Sequence, residues 1–168
     1  MEILSPQAVT RLWDEHSAGL VLYARQWCDA PEDIVQEAFL LLARQTVAPD
    51  NLVGWIYRVV RNRAINAVRS KSRRSRRELA ASRGEMWFDT AGEKRLDAAA
   101  ASAALQALPI AEREAIVARL WGGLSFDEIA RLTGSSISSV YRNYQRGIAA
   151  MRERLDRPCP TKNSTTNR

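Results

Sequence analysis

Polar side chains on adjacent turns make residues 32–37 the first candidate site for chemistry. Asp33, Gln36 and Glu37 are three and four residues apart, so in a helix they lie on one polar face opposite an apolar one. Neighbouring carboxylates could act as an acid–base pair or bind a metal ion. Because the chain has a single histidine and no glycine-rich phosphate loop, we expect a protein-binding face instead. An idle solvated face and an enzymatic site are the alternatives.

The second candidate is residues 55–69, where aromatic side chains alternate with arginine and asparagine. Such a helix suits single-stranded or partly opened nucleic acid, because bases can stack on rings while arginines hold the backbone. Trp55 is expected to be core rather than a contact. The expected contact residues are Arg58, Arg61, Asn62, Asn66 and Arg69.

The net charge of +6 is unevenly distributed along the chain. Residues 1–57 hold three basic and eight acidic side chains, whereas residues 58–77 hold nine basic and no acidic ones. A basic block attracts a polyanion by releasing counterions from its phosphates. A solvated charge run is the alternative, but this block continues an amphipathic helix, which favours nucleic acid.

The third candidate is a helix-turn-helix in residues 124–142. Ser125 and Glu128 have the spacing of a capping box, Gly134 suits the turn, and Ser136 can cap a second helix. The second helix of this motif enters the major groove, whereas a plain helical hairpin is the alternative. The seam should be filled by Ile129, Leu132, Ile137 and Val140. The residues expected to face DNA are Ser136, Ser138, Ser139, Tyr141, Arg142, Gln145 and Arg146.

Apolar spacing of three and four residues predicts helices throughout and no strands. The predicted helices cover about 7–28, 31–47, 51–68, 96–108, 110–121, 126–132 and 136–155. The third of these fits one helix or two with a bend. The pattern lapses between about 70 and 94, where Trp87 and Phe88 are expected to tuck against one of the folded units.

Targeting and redox features predict a reduced protein of the cytosol. No apolar run is long enough to cross a bilayer, and the N-terminus lacks a basic region followed by an apolar segment. Cys28 and Cys159 are far apart in sequence and belong to no Cys-x-x-Cys pair.

The three candidate segments, in this order, resemble the extracytoplasmic-function sigma factors of the sigma-70 family. Residues 32–39 are similar to the family's Glu-Asp-x-x-Gln-Glu-x-Phe segment, and residues 54–62 to its Trp-Leu-Tyr-x-x-x-Arg-Asn helix. Residues 123–130 match the family's region four closely. The resemblance implies an all-α fold of two small helical domains joined by a flexible linker. Its expected divisions are region 2 at 1–77, the linker at 78–96, region 4 at 97–155 and a disordered tail at 156–168.

The same resemblance implies a transcription initiation factor without a catalytic site, cofactor or metal. Its expected partners are bacterial core RNA polymerase and promoter DNA, and an anti-sigma factor is left open. Docking on the polymerase is expected from Asp33, Gln36, Glu37 and Phe39. The helix around Arg58, Arg61, Asn62, Asn66 and Arg69 should open and read the −10 element, and region 4 should read the −35 element.

Two departures limit what the resemblance transfers. Ser138 stands where the family often has glycine, and Tyr141 where lysine is common, so promoter specificity does not carry over. The expected location is the bacterial cytoplasm, on the nucleoid when the factor is active. The runner-up interpretation is a helix-turn-helix regulator that binds DNA without being a polymerase subunit; it leaves the acidic face and the basic helix unexplained.

Overall fold

The computed structural model describes residues 4–74 and 94–156, and the side chains of 4–68 and 99–156. Within these residues the chain forms seven α-helices and no strand, which confirms the predicted all-helical fold. They are α1 (Pro6–Ala24), α2 (Pro31–Ala43), α3 (Leu52–Arg74), α4 (Lys94–Gln106), α5 (Ile110–Leu120), α6 (Phe126–Thr133) and α7 (Ile137–Asp156). Trp87, Phe88, most of the predicted linker and nearly all of the predicted tail lie outside the described residues.

The first three helices begin where local chemistry favours a helix N-terminus. The Ser5 hydroxyl accepts the N–H of Ala8 at 3.2 Å, with proline in the first turn of α1. α2 also begins with proline, and acidic side chains in its first turn complement the helix dipole. The Asn51 side-chain oxygen accepts the N–H of Gly54 at 2.8 Å at the start of α3. α3 then continues as one helix to Arg74, whereas the apolar spacing that predicted this helix ends near residue 68.

Helices α1, α2 and α3 pack around a shared apolar core. Its fully buried members include Leu20, Tyr23, Val35, Leu42, Ile56, Tyr57 and Val60. These residues recur at helical spacing, so each helix turns one apolar face inwards. The opposite faces of α2 and α3 remain exposed and carry Asp33, Gln36 and Glu37 on α2 and Arg58, Asn62 and Asn66 on α3.

Helices α4 to α7 form a second packed unit around Leu105, Ile116, Ile129 and Val140. α5 and α7 approach closely at Gly147, where an added Cβ would lie 2.6 Å from Cδ1 of Ile116. The two units are not separate in this structure, because their buried residues form one continuous apolar cluster.

The helix-turn-helix has the local geometry that the sequence predicted. The Ser125 hydroxyl accepts the N–H of Glu128 at 3.2 Å, while the Glu128 carboxylate accepts the N–H of Ser125 at 2.7 Å. Gly134 ends α6 in the left-handed conformation, with φ 71°. One expectation was wrong: Ile137 does not fill the seam between the helices but is 51% exposed at the start of α7. Position 137 follows the Ser136 cap directly, so its side chain projects outwards before the helix meets its neighbour.

Gly134→Ala is expected to lower the free energy of unfolding by about 1–2 kcal/mol, because a left-handed residue with a Cβ is strained. No atom lies within 4 Å of the added Cβ, so the effect isolates the backbone. Urea denaturation followed by circular dichroism measures it. Ser135→Ala, in the same exposed turn, is the control and should change stability little. An unchanged midpoint for Gly134→Ala would show that the turn accommodates a side chain.

Candidate functional site

The acidic face of α2 is open to solvent. Asp33, Gln36 and Glu37 are all exposed, as the sequence predicted. Leu40, one turn further along the same stripe, is 58% exposed and was not predicted. Leu40 comes seven residues after Asp33, which is two helical turns, and this spacing could have placed it on the acidic face from the sequence alone. The face therefore combines carboxylates with one apolar side chain, a composition that suits a protein partner better than an ion.

Phe39 differs from the residues with which the sequence grouped it. Its side chain is only 6% exposed, and its ring meets Trp13 edge-on with centroids 4.8 Å apart. The side chain therefore belongs to the core behind the acidic face, so the predicted polymerase contact at Phe39 does not lie on the exposed surface of α2. Its position in α2, two residues after Glu37, turns it towards α1 instead of solvent.

Exposed ion pairs connect the acidic face to its neighbours. Arg25 donates to Glu32 at 3.0 Å, and Arg63 of α3 pairs with Glu37. Such surface pairs contribute little stability, because water screens both charges. Glu37 can therefore exchange Arg63 for another partner at small cost.

The predicted contact residues of α3 divide between two faces. Arg58, Asn62 and Asn66 are exposed and four residues apart, so they form one polar stripe along the helix. Arg69 follows in the same helix, but its side chain lies outside the described set. Arg61 faces a different direction and is largely covered. The structure therefore brings three of the five residues together.

Arg61 bridges the two packed units. Its Nε donates to Oε1 of Glu114, on α5, at 2.7 Å, and the Tyr23 hydroxyl donates to the same oxygen at 2.6 Å. The Arg61 guanidinium also lies over the Trp27 ring, 5.9 Å from its centroid. Sequence reasoning missed Glu114, because nothing in its local spacing marks a contact between segments fifty or more residues apart.

The charges in this cluster perturb one another. Burial, reinforced by the Glu114 carboxylate, holds the pKa of Tyr23 well above its ordinary value. Burial lowers the pKa of Arg61, but its hydrogen bond and charge interaction with Glu114 outweigh that effect and leave the pKa raised. Tyr23 is therefore a neutral donor and Arg61 a cationic one at neutral pH.

The outer face of α7 carries the predicted groove-reading residues. Ser136, Ser138, Tyr141, Arg142, Gln145 and Arg146 are exposed, and Ser139 is half-buried. Hydrogen bonds along the helix hold several of them: Gln145 donates to the Tyr141 hydroxyl at 2.8 Å, and Arg142 to the Ser139 hydroxyl at 3.3 Å. These bonds pre-order the face that the motif presents to a duplex.

Two neighbouring side chains add apolar surface to the polar face of α7. The Tyr141 ring stands perpendicular to Phe126, with centroids 5.3 Å apart, so its position is fixed by α6. Ile137, exposed in the first turn, adds an aliphatic side chain to the same end of the helix. The sequence signal for Ile137 was its place directly after a capping serine.

Comparison with known protein families assigns both packed units. Residues 12–74 match sigma-70 region 2, and residues 98–151 match sigma-70 region 4. The chain belongs to the sigma-70 family. Its regions 2 and 4 give it the extracytoplasmic-function type of architecture and the role of directing promoter recognition by RNA polymerase. A regulator outside the polymerase would account for region 4 alone, and the family is non-enzymatic, which removes the enzymatic alternative.

Solved structures share the fold of this sigma factor. The sigma factor RpoE of Bartonella quintana, solved in complex with the anti-sigma factor NepR, is 21% identical with a TM-score of 0.74; the match covers 92% of this chain and 100% of that one. CnrH, solved with the cytosolic domain of CnrY, is 23% identical with a TM-score of 0.61, covering 90% of each chain. At these identities the likeness establishes the arrangement of helices.

Two other kinds of site are absent from the part of this sigma factor that the structure describes. Among residues 4–74 and 94–156, no cluster of three or more His, Cys, Asp or Glu side chains is placed to hold a metal ion. None of the helices in those same residues combines the length and apolarity needed to cross a membrane.

Glu128 has a second role beyond its capping box. Its Oε1 accepts a hydrogen bond from the Asn51 amide at 2.6 Å, which connects region 4 to the start of α3. Hydrogen bonds from the Ser125 N–H and hydroxyl lower the pKa of Glu128, and the Asn51 amide adds to them.

This lowered pKa predicts a pH-dependent contribution to stability. A carboxylate whose pKa falls on folding stabilises the fold above its unfolded pKa of about 4.3, and the contribution is lost as pH falls through the folded value. Wild type should therefore exceed Glu128→Gln in urea midpoint at pH 7, with the difference shrinking below about pH 4. Asp127→Asn, in the same helical turn, is the control. A difference that stays constant from neutral to acid pH would contradict the assignment.

Proposed function

We propose that this sigma factor divides promoter recognition between its two regions and docks on core RNA polymerase through the exposed face of α2. Region 2 opens and reads one strand of the −10 element with the polar stripe of α3. Region 4 reads the −35 element as duplex with the outer face of α7. The observation that carries this proposal is that all three surfaces are exposed and supported from behind by a packed core.

The docking part rests on the composition of the α2 face. Asp33, Gln36 and Glu37 are exposed polar groups on a helix whose other side is fully packed. Leu40 extends this face with an apolar contact. A rigid helix with charged and apolar groups in one stripe is a typical surface for binding a partner protein.

Gln36→Ala combined with Glu37→Ala is expected to weaken binding to purified core polymerase at least tenfold, or about 1.4 kcal/mol. The fold should survive, because exposed polar substitutions usually change stability little. Titration with fluorescently labelled protein measures the affinity. The matched control is Gln7→Ala with Glu15→Ala, the same chemical change on exposed positions of α1. Equal affinity for the two double variants would reject the docking face.

The DNA part rests on the different chemistry of two helices. On α3, Arg58, Asn62 and Asn66 lie along a helix that continues into a basic segment, which favours a single strand held by its phosphates. On α7, Arg142 and Gln145 have the side chains that bind guanine and adenine in a bidentate manner.

Arg142→Ala and Asn62→Ala should therefore fail at different steps. Loss of a bidentate base contact at Arg142 is expected to cost about 1–3 kcal/mol and to relax preference at one upstream position. Asn62→Ala should impair strand opening more than initial binding. A gel shift on duplex promoters measures binding of the holoenzyme, and permanganate footprinting measures opening. Arg152→Ala, exposed further along α7, is the control for general loss of charge.

These assignments would be contradicted if both variants lost affinity equally for all DNA sequences, with strand opening reduced only in proportion to binding. Arg142 and Asn62 would then contact phosphate, and the division of labour between the regions would be wrong.

A protein inhibitor is the remaining part of the proposal. The RpoE structure with the anti-sigma factor NepR supports such a partner, since the shared fold offers similar surfaces. We propose that a partner of this class controls this sigma factor in the bacterial cytoplasm, where core polymerase and promoter DNA are found.

A further inference from the structure

Region 4 is packed directly against region 2 in this structure. Glycines allow the closest approach: a Cβ added at Gly19 of α1 would lie 3.0 Å from the backbone oxygen of Trp121. On the other side, a Cβ at Gly122 would lie 2.9 Å from Cζ of Tyr57. At Gly122 the added Cβ would also lie 2.5 Å from the Ala118 backbone oxygen of its own region, so Gly19 is the position where a larger side chain presses more directly on the other region.

Glu114 supplies the polar connection at the centre of this contact. Its side chain is 7% exposed, and it accepts hydrogen bonds from Arg61 and Tyr23, both of region 2. A buried carboxylate is costly without such donors, so these two residues keep Glu114 in place. If the regions separated, water would hydrate the Glu114 carboxylate, and this hydration would compensate for the two lost hydrogen bonds.

The contact also leaves a buried polar atom unsatisfied. Among the described residues, the Tyr57 hydroxyl is buried and has no hydrogen-bond partner. A buried hydroxyl without a partner costs free energy that water would restore on opening. The closed arrangement is thus held by Glu114, the Asn51–Glu128 hydrogen bond and apolar packing, and the unsatisfied Tyr57 hydroxyl is a cost that favours release.

The closed arrangement conflicts with promoter reading, an argument that rests on the function proposed above. Arg61, next to the strand-reading stripe, has its guanidinium engaged by Glu114 and Trp27. Elements centred near −10 and −35 are roughly 25 base pairs, or on the order of 85 Å, apart along a duplex. A compact chain of this length has a radius of gyration of only about 15 Å. Regions in contact cannot reach both elements.

We propose that Glu114 is an intramolecular latch that holds the free sigma factor closed and withholds Arg61 from nucleic acid. The α2 face stays exposed in the closed state, so the polymerase can dock before the latch releases. Opening then frees Arg61 and lets the two regions occupy separate DNA elements. Binding to DNA is accordingly reduced in the free chain by the fraction of molecules that are closed.

The test compares the full chain with Glu114→Gln, which keeps the side-chain volume and removes the charge. Small-angle X-ray scattering should show a larger radius of gyration for the variant, while circular dichroism shows unchanged helix content. Affinity for a short, labelled, mixed-sequence single-stranded oligonucleotide, measured by anisotropy, should rise severalfold as Arg61 is released. The matched control is Glu112→Gln on the same helix. The charged neighbour of Glu112 is Arg146, which also belongs to region 4.

A second pair of variants separates release of Arg61 from simple loss of a negative charge. In an Arg61→Gln background, Glu114→Gln should open the chain but no longer raise oligonucleotide affinity. Gly19→Leu should open the chain by steric clash with Trp121, with Glu114 intact. This variant keeps the test decisive if Glu114→Gln disturbs the folding of region 4.

Each outcome bears on the latch. Expansion together with tighter oligonucleotide binding, both absent in Glu112→Gln, supports it. Unchanged scattering for both Glu114→Gln and Gly19→Leu overturns it, whatever the DNA result. Expansion without a gain in affinity overturns the inhibitory role of Arg61 sequestration. The proposed strand-reading role of α3 is judged separately by the footprinting of Asn62→Ala, so the two failures are distinguishable.

Discussion

The buried carboxylate of Glu114 is the constraint on which the arrangement of this sigma factor depends. A carboxylate that is 7% exposed needs hydrogen-bond donors, and Tyr23 and Arg61 of the other region supply them where α5 lies against it. The buried apolar residues of region 2 and region 4 then form one continuous cluster. Together with the Asn51–Glu128 hydrogen bond and the close approach at Gly19, this contact sets the orientation of region 4 on region 2.

The proposed docking and reading surfaces each consist of a polar face in front of a packed one. α2 presents its carboxylates because Val35, Ala38 and Phe39 are buried behind them. α7 presents its outer face because Val140 and Gly147 anchor the inner one. Rigid backing matters for recognition, because side chains held in position lose less conformational entropy when a partner binds.

A structure that is closed by a charged contact is well suited to reversible control. Apolar packing alone would make separation of the regions uniformly unfavourable, whereas a carboxylate and a guanidinium regain hydration when they part. The unsatisfied Tyr57 hydroxyl acts in the same direction. The exposed α2 face is unaffected by closure, so the proposed docking on the polymerase and the proposed reading of DNA use physically separate surfaces.

Local sequence chemistry determined much of this protein. Periodicity gave the helices, the Ser125–Glu128 spacing gave the capping box, and Gly134 gave the left-handed turn, because each depends on residues within a few positions. Resemblance at three motifs predicted the two sigma regions that the family comparison identified.

Only the tertiary structure decided which way certain side chains face. Ile137 is exposed at the start of α7, whereas Phe39 is buried against Trp13 of α1, and which neighbours cover each side chain depends on how the helices pack. Arg61 lies on a different face of α3 from Asn62, and it meets Glu114, fifty-three residues away, only because the two regions pack together. Such long-range pairing of charges leaves no periodic trace in the sequence, since it depends on how two folded units meet.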